Sequence, residues 1–156
     1  MNTSDPIWTY NSTFPSNNVT CKVDQMVNIS DTTIYFNRSM YFKGNKTGYP
    51  VEGTFYSGEY GVPYAILYGG PGLMKEGAEV ALYTSENNTC AVLNVTLEIG
   101  IPMYWYDLRV RNSSIEEGPS KVCKDFFLKV APTSFQMYHN YCQQILHEPT
   151  ISTIRL

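Results

Sequence analysis

The sequence predicts an all-β fold, an eight-stranded antiparallel barrel closed on itself, with a C-terminal α-helix packed on the outside. Three observations lead there. Short runs rich in β-branched and aromatic residues recur through the first 111 residues, each ended by Gly, Pro, Asn or Ser. Thirteen tyrosines and seven phenylalanines suit pleated surfaces, where such side chains pack well. A single segment with helical spacing follows near the end of the chain. At 156 residues the chain supports one domain, residues 1–156, with a sizeable core. Eight strands leave no exposed edge once closed, and an interior just wide enough for one small molecule.

Strands are expected at residues 7–13, 19–29, 32–43, 51–56, 62–68, 79–84, 89–99 and 103–111, which makes a barrel over residues 7–111. Turn signals separate them at 15–18, 44–50, 57–61, 69–72 and 85–88, and residues 112–131 read as a long loop. Gly69-Gly70-Pro71-Gly72 is a tight connection. It lacks the Gly-Lys-Ser/Thr ending and following helix of a phosphate-binding loop. The helix is expected at residues 134–146. Thr133 and Gln136 fit a capping box, and Phe135, Tyr138, Cys142 and Ile145 form an apolar stripe at 3–4 residue spacing. Pro149 ends the helix potential, and residues 147–156 form a tail.

Compartment follows from cysteines and glycosylation signals. Cys21, Cys90, Cys123 and Cys142 are even in number and widely spaced, with no Cys-x-x-Cys pair of the kind that zinc or redox chemistry uses. Two structural disulfides in an oxidising compartment are expected, with three pairings open. Nine Asn-x-Ser/Thr sequons, at Asn2, Asn11, Asn18, Asn28, Asn37, Asn45, Asn87, Asn94 and Asn112, are too dense for chance. The chain therefore reads as a secreted, extracellular glycoprotein. Its first residues show no basic segment followed by an apolar stretch, so Met1 is read as an initiator placed after signal removal.

A glycan cannot sit inside a small barrel, so the sequons also orient strands. If Asn94 faces out, Ala91, Leu93, Val95 and Leu97 face in. Asn37 likewise sends Ile34, Phe36, Arg38, Met40 and Phe42 inward. Asn28 sends Val23, Gln25 and Val27 inward, with Lys22 and Asp24 outside. On residues 103–111 the face of Tyr104, Tyr106, Leu108 and Val110 reads as lumen wall. The face of Met103, Trp105, Asp107, Arg109 and Arg111 reads as an outer charge ladder, with Trp105 under the helix as an alternative. Arg38 either caps a polar group of a ligand or reaches the barrel mouth, and the mouth is preferred. The candidate ligand-binding residues are thus Phe36, Arg38, Met40, Phe42, Leu93, Val95, Leu97, Tyr104, Tyr106 and Leu108, walls that suit a small hydrophobic ligand.

Other classes find little support. A net charge of −3 gives no footprint for nucleic acid, and no apolar run is long enough to insert in a bilayer. His139 and His147 lie on or just past the expected helix, Glu116 and Glu117 sit in a Gly-Pro loop, and no catalytic motif occurs, so no catalytic residue, metal site or cofactor is expected. The stretch 51–73 has no sequon and holds Tyr56, Tyr60, Tyr64 and Tyr68. A contact surface for a protein partner is one reading; tyrosines that line strands and rim are the preferred one.

Several segments together resemble the lipocalins of tick saliva: Trp8-Thr-Tyr10 with Cys21, Val27-Asn-Ile-Ser, Cys90-Ala-Val-Leu-Asn-Val, Tyr106-Asp-Leu-Arg-Val-Arg, Cys123-Lys-Asp-Phe-Phe and Tyr141-Cys142. The resemblance covers nearly the whole chain, although the general Gly-x-Trp lipocalin signature is absent, since Trp8 follows Pro6-Ile7. It implies an eight-stranded barrel with a C-terminal helix, and disulfides Cys21–Cys142 and Cys90–Cys123. Amine-scavenging members carry Cys-Asp, then Glu-Leu-aromatic; here Ala91, Asp107 and Arg109 stand at those places. With few carboxylates on the inferred lumen faces, histamine or serotonin is disfavoured. A branch of the family associated with cholesterol binding and with dendritic cells is the better likeness. It implies a monomeric carrier with a sterol as its bound lipid, acting on host immune cells, in one version through an immune-cell surface protein. A fatty acid or eicosanoid, its carboxylate on Arg38, is the alternative.

Overall fold

The computed structural model describes residues 4–58 and 63–150. Asn2, Tyr60 and the last six residues of the expected tail lie outside that range. Eight strands run in sequence: β1 (Ile7–Ser12), β2 (Val19–Ile29), β3 (Thr33–Phe42), β4 (Asn45–Ser57), β5 (Pro63–Gly69), β6 (Lys75–Thr84), β7 (Cys90–Leu97) and β8 (Met103–Arg111). Each pairs antiparallel with the next, and β1 pairs with both β8 and β2, which closes the barrel. A short ninth strand, β9 (Phe135–Gln136), lies outside on β1.

Two strands start earlier than the turn signals indicate. β4 takes in the expected turn at 44–50, because β5 pairs only from Glu52 onward and Pro50 leaves no ladder bond unmade on that side. β6 begins at Lys75 through a glycine: at Gly77 a Cβ would collide with the carbonyl oxygen of Thr96 on β7. Only glycine allows that approach.

The helix on the outside is not where residue spacing places it. Helix α1 spans Lys121–Val130, inside the expected loop. Ser120 caps it, its Oγ accepting from the Cys123 amide at 3.2 Å, and Cys123, Phe127 and Ala131 face the barrel at four-residue intervals. Residues 134–146 form β9 and then a 3₁₀ helix at Asn140–Leu146. Tertiary partners override the helical pattern there. The Met137 amide donates to Tyr10 O (2.8 Å), and Met137 O accepts from Cys21 N (3.0 Å), so these backbone groups bond to β1 and β2 rather than within a helix. The apolar stripe survives, with Cys142 and Ile145 buried against the barrel and the Tyr138 ring edge-on to Trp8 at 5.0 Å.

Two disulfides fix these outer pieces. Cys21–Cys142 joins β2 to the 3₁₀ helix, and Cys90–Cys123 joins β7 to α1. Two crosslinks of this kind fit an extracellular protein.

The apolar side chains form two layers. One fills the lumen around Ile34, Phe36, Val51, Ile66, Leu93 and Val95. The other lies outside the sheet, where Trp8, Val23, Val92, Leu108 and Val110 pack under Phe127, Tyr138 and Ile145. This second layer inverts two orientations. Val23 faces outward into it and Val27 is exposed, while Lys22 and Asp24 are buried; the expected inward set Val23, Gln25 and Val27 is therefore corrected. Asn28 is exposed as expected, but a register shift between Met26 and Asn28 breaks the alternation. Counting back through that bulge exchanges the faces.

Candidate ligand-binding site

Among the described residues, two cavities of the barrel share no lining residue, one of about 420 Å³ and one of about 270 Å³. The larger lies toward the end where β1 starts and β8 ends. Its walls are Ile34, Phe55, Ile66, Ala81 and Leu93, with Glu79 and Arg109 among its polar groups. The smaller lies toward the β5–β6 connection, walled by Phe14, Met40, Val51, Leu97, Met103 and Trp105, with Lys22 and Arg38 among its polar groups.

Between them runs a buried ionic layer. Arg38 Nε donates to Asp24 Oδ1 at 2.7 Å, and its Nη2 donates to Asp24 Oδ2 and Glu79 Oε2, both at 2.9 Å. Arg109 donates to both oxygens of Glu79, at 2.8 and 2.9 Å, and to Asp107 Oδ2 at 3.0 Å. Ser12 Oγ donates to Asp107 Oδ1 at 2.7 Å. Lys22 Nζ stands 3.7 Å from Asp107 Oδ2. Three carboxylates face three cations, so the layer carries no net charge with every group ionised.

The protonation states follow from this packing. Burial pushes Glu79 up, but the guanidiniums of Arg109 and Arg38 outweigh it and hold the carboxyl well below its usual range. Burial likewise opposes ionisation of Asp107, and Lys22 with Arg109 overcomes it. For Lys22 burial wins. Desolvation, helped by the repulsion of Arg38, brings its ammonium down to about 8. Three buried polar atoms are left without a partner among the described residues; the Tyr41 hydroxyl lies in the outer layer, and Arg109 Nε and Trp105 Nε1 belong to lumen residues. Of these two residues, Arg109 lines the larger cavity and Trp105 the smaller.

The residues expected to bind ligand divide accordingly. Leu93 lines the larger cavity, and Arg38, Met40 and Leu97 line the smaller. Phe36 and Val95 are buried in the lumen, with the Arg38 guanidinium 5.2 Å from the Phe36 ring. Phe42 packs on the Val19, Met40 and Met137 cluster. On β8 the expected faces are exchanged. Tyr104 is 67% exposed, Tyr106 packs on the outer layer, and Leu108 is buried within it; none of the three faces the lumen. Trp105, Asp107 and Arg109 take their place inside. The more apolar face of β8 points outward because α1 and the C-terminal segment cover it, while the charges inside satisfy one another. Arg38 reaches no mouth: it is 3% exposed and held by two carboxylates. The lumen is also richer in carboxylates than the sequence indicates, with Asp24, Glu79 and Asp107 all buried.

Of the tyrosine-rich stretch, Tyr68 is buried and donates to Thr96 O at 2.7 Å, while Tyr56 and Tyr64 meet edge to face at 5.7 Å and stay exposed. Asn18, Asn28, Asn37, Asn45 and Asn87 are exposed, and Asn11, Asn94 and Asn112 are half-buried. Asn11 Nδ2 donates to Ser134 Oγ at 3.1 Å, and Asn112 Oδ1 accepts from Trp8 Nε1 at 2.9 Å.

No protein-family model matches the chain, and no curated protein matches it in sequence. Solved structures do. Japanin from Rhipicephalus appendiculatus bound to cholesterol superposes with a TM-score of 0.62 at 9% identity, over 90% of this chain and 96% of that one. The siderocalin Ex-FABP, a protein described as functioning through dual ligand specificities, superposes with a TM-score of 0.61 at 10% identity, over 83% of this chain and 84% of that one. With the barrel closed through β1, a ninth strand outside it and a helix clipped to its wall, the chain has the lipocalin fold.

Proposed function

We propose that the protein is a secreted carrier that holds a neutral sterol-sized lipid, cholesterol foremost, in the larger cavity. One observation carries this reading. A space of about 420 Å³ has aliphatic and aromatic walls and ends on the ion pair of Glu79 with Arg109. Glu79 and the Nη atoms of Arg109 are committed to each other, so the pair calls for no charged ligand group, and a neutral lipid suits the walls. The cholesterol held by Japanin, on the same fold, supports the choice of ligand class. A biogenic amine fits less well, because each lumen carboxylate already accepts from a guanidinium.

By the same reading the protein is a glycosylated monomer of the tick salivary kind that acts on host immune cells, dendritic cells among them, by what it carries. Native mass spectrometry of protein from eukaryotic cells should show a retained neutral lipid of sterol size, lost on Leu93→Trp, which fills the larger cavity. The same variant should lose its effect on cultured dendritic cells. Stoichiometric histamine with no affinity for lipid would sink the proposal, and an undiminished cellular effect of the blocked variant would move the activity to the protein surface.

A further inference from the structure

We propose that one sector of the barrel rim docks on a phosphatidylcholine membrane surface: the β5–β6 turn, the β7–β8 turn and Tyr104 beside them. This contact lies outside the lumen and is independent of what the lumen holds. Four connections join strands at this end of the barrel. Those between β1 and β2 and between β3 and β4 present exposed polar residues, Asn17, Asn18 and Lys43, with exposed Asn45 just beyond. The other two are apolar where turns are ordinarily polar: Gly70-Pro71-Gly72-Leu73-Met74 and Glu98-Ile99-Gly100-Ile101-Pro102. Leu73 and Ile99 are exposed. Met74 and Ile101, at 81% and 88%, are the two most exposed large apolar side chains among the described residues.

The two turns run side by side. The Glu98 amide donates to Glu76 O at 2.7 Å, which carries the β6–β7 pairing on past Gly77 and Leu97. Glu52 holds the first turn in shape, its carboxylate accepting from Gly72 N at 3.3 Å and from Lys75 Nζ at 2.9 Å, while Leu73 N donates to Gly70 O at 3.0 Å. Single exposed apolar residues are ordinary, but a contiguous group of this exposure marks a contact surface.

The charges beside the patch select that surface. Across residues 69–76 and 97–104 the one cation is Lys75, already paired with Glu52 at 2.9 Å, and Glu98 is exposed. An anionic bilayer or an acidic protein face therefore meets no available cation here. A phosphocholine headgroup instead turns a quaternary ammonium outward, which carboxylates and aromatic faces attract. Tyr104 supplies the ring: it is largely exposed, lies edge to face with Tyr106 at 6.0 Å, and pairs with Thr96, two residues before Glu98. Tyrosine also favours the depth of lipid headgroups. The turn tips then enter the apolar boundary while Tyr104 and Glu98 meet choline.

Sterol-free vesicles of dioleoylphosphatidylcholine are the probe, floated with the intact oxidised protein at neutral pH and near-physiological salt. The protein should float with them. Met74→Ser combined with Ile101→Ser should lower the partition at least about 10-fold, since two apolar side chains no longer leave water, with an unchanged unfolding midpoint. Tyr104→Ala should lower it about 2- to 5-fold. Phosphatidylserine in place of part of the lipid should weaken binding, and Glu98→Gln should reduce that loss. Emission of an Ile101→Trp variant should shift to the blue on vesicles, and that of a Lys43→Trp variant should not. Leu93→Trp should float as the parent does, which separates this face from the lumen. Protein left behind in the buffer, equal flotation of the double variant, tighter binding to phosphatidylserine vesicles, or a dimer in sedimentation that the double variant dissolves would each overturn the assignment.

Discussion

The two faces of β8 make an instructive pair. Its inward side carries Trp105, Asp107 and Arg109, and its outward side carries Leu108 and Val110, so the charged face is inside. On β7, one strand away, Leu93 and Val95 point into the lumen, and Val92 points out beneath α1. A barrel wall covered by a helix has two buried faces, and burial no longer separates polar from apolar. What decides the faces of β8 is partnership. Asp107 and Arg109 find Ser12 on the neighbouring strand and Lys22 and Glu79 within the lumen, whereas the ceiling formed by α1 offers Phe127 and a disulfide.

The strongest way to break that contrast is Glu79→Ala. It leaves the guanidiniums of Arg38 and Arg109 facing each other without their shared carboxylate, and should cost about 3–5 kcal/mol in urea unfolding. Replacing all six ionic side chains of the layer, Lys22, Asp24, Arg38, Glu79, Asp107 and Arg109, by apolar residues of similar volume should cost far less than the single change, since no charge is left stranded. If the sixfold variant were the less stable, the layer would be a net source of stability rather than a self-cancelling one.

Removing Cys21–Cys142 by paired alanines should cost about 2–4 kcal/mol. The same treatment of Cys90–Cys123 should cost about 1 kcal/mol less, from the shorter loop of 33 residues against 121. The two packed layers differ more finely. Phe127→Ala opens a gap in a filled layer and should cost about 3–5 kcal/mol, while Leu93→Ala enlarges a cavity that already exists and should fall near about 2 kcal/mol.

The smallest expected effect is on pH dependence. Lys22 faces Asp107 and Arg109 from β8, Arg38 from β3, Glu79 from β6 and Asp24 from its own strand. Its folded value of about 8 lies below the ordinary 10.5, so the unfolded chain holds more protons between those values. Stability should therefore rise from pH 8 to 10, by about 2 kcal/mol, and Lys22→Met should flatten that rise. Above this window Tyr49 and Tyr68, whose hydroxyls burial holds protonated, ionise first in the unfolded chain, and stability should turn down.

Much of the architecture was legible in residue order. Eight strand signals marked eight strands, and Asn37 and Asn94 oriented β3 and β7 correctly, because the extra residues of the nearby register shifts lie on the partner strands β2 and β6 and leave alternation along β3 and β7 unbroken. The failures have definite causes. The bulge after Met26 carries no sequence mark, so alternation counted back from Asn28 came out reversed. On residues 135–145 an apolar stripe at helical spacing served instead to lay a strand and a 3₁₀ turn along β1. Lys121–Val130 had its signals, a serine cap and buried positions four apart, but they lay in a stretch that Gly118 and Pro119 marked as loop. The ionic layer left one trace: Lys22 and Asp24 on β2, and Asp107 and Arg109 on β8, stand two apart as opposite charges. That trace points inward only when Glu79 and Arg38 are known to lie opposite, which is a property of the closed barrel.

The crosslink between Cys21 and Cys142 has a consequence for how the chain is made. Synthesis delivers Cys21 early and Cys142 last of the four, so Cys90 and Cys123 are both present while Cys21 still waits for its mate. During that interval an unpaired thiol near the start of β2 can capture Cys90 instead and hold α1 off the wall. β2 therefore cannot be locked to its C-terminal strap until the whole barrel has been synthesised.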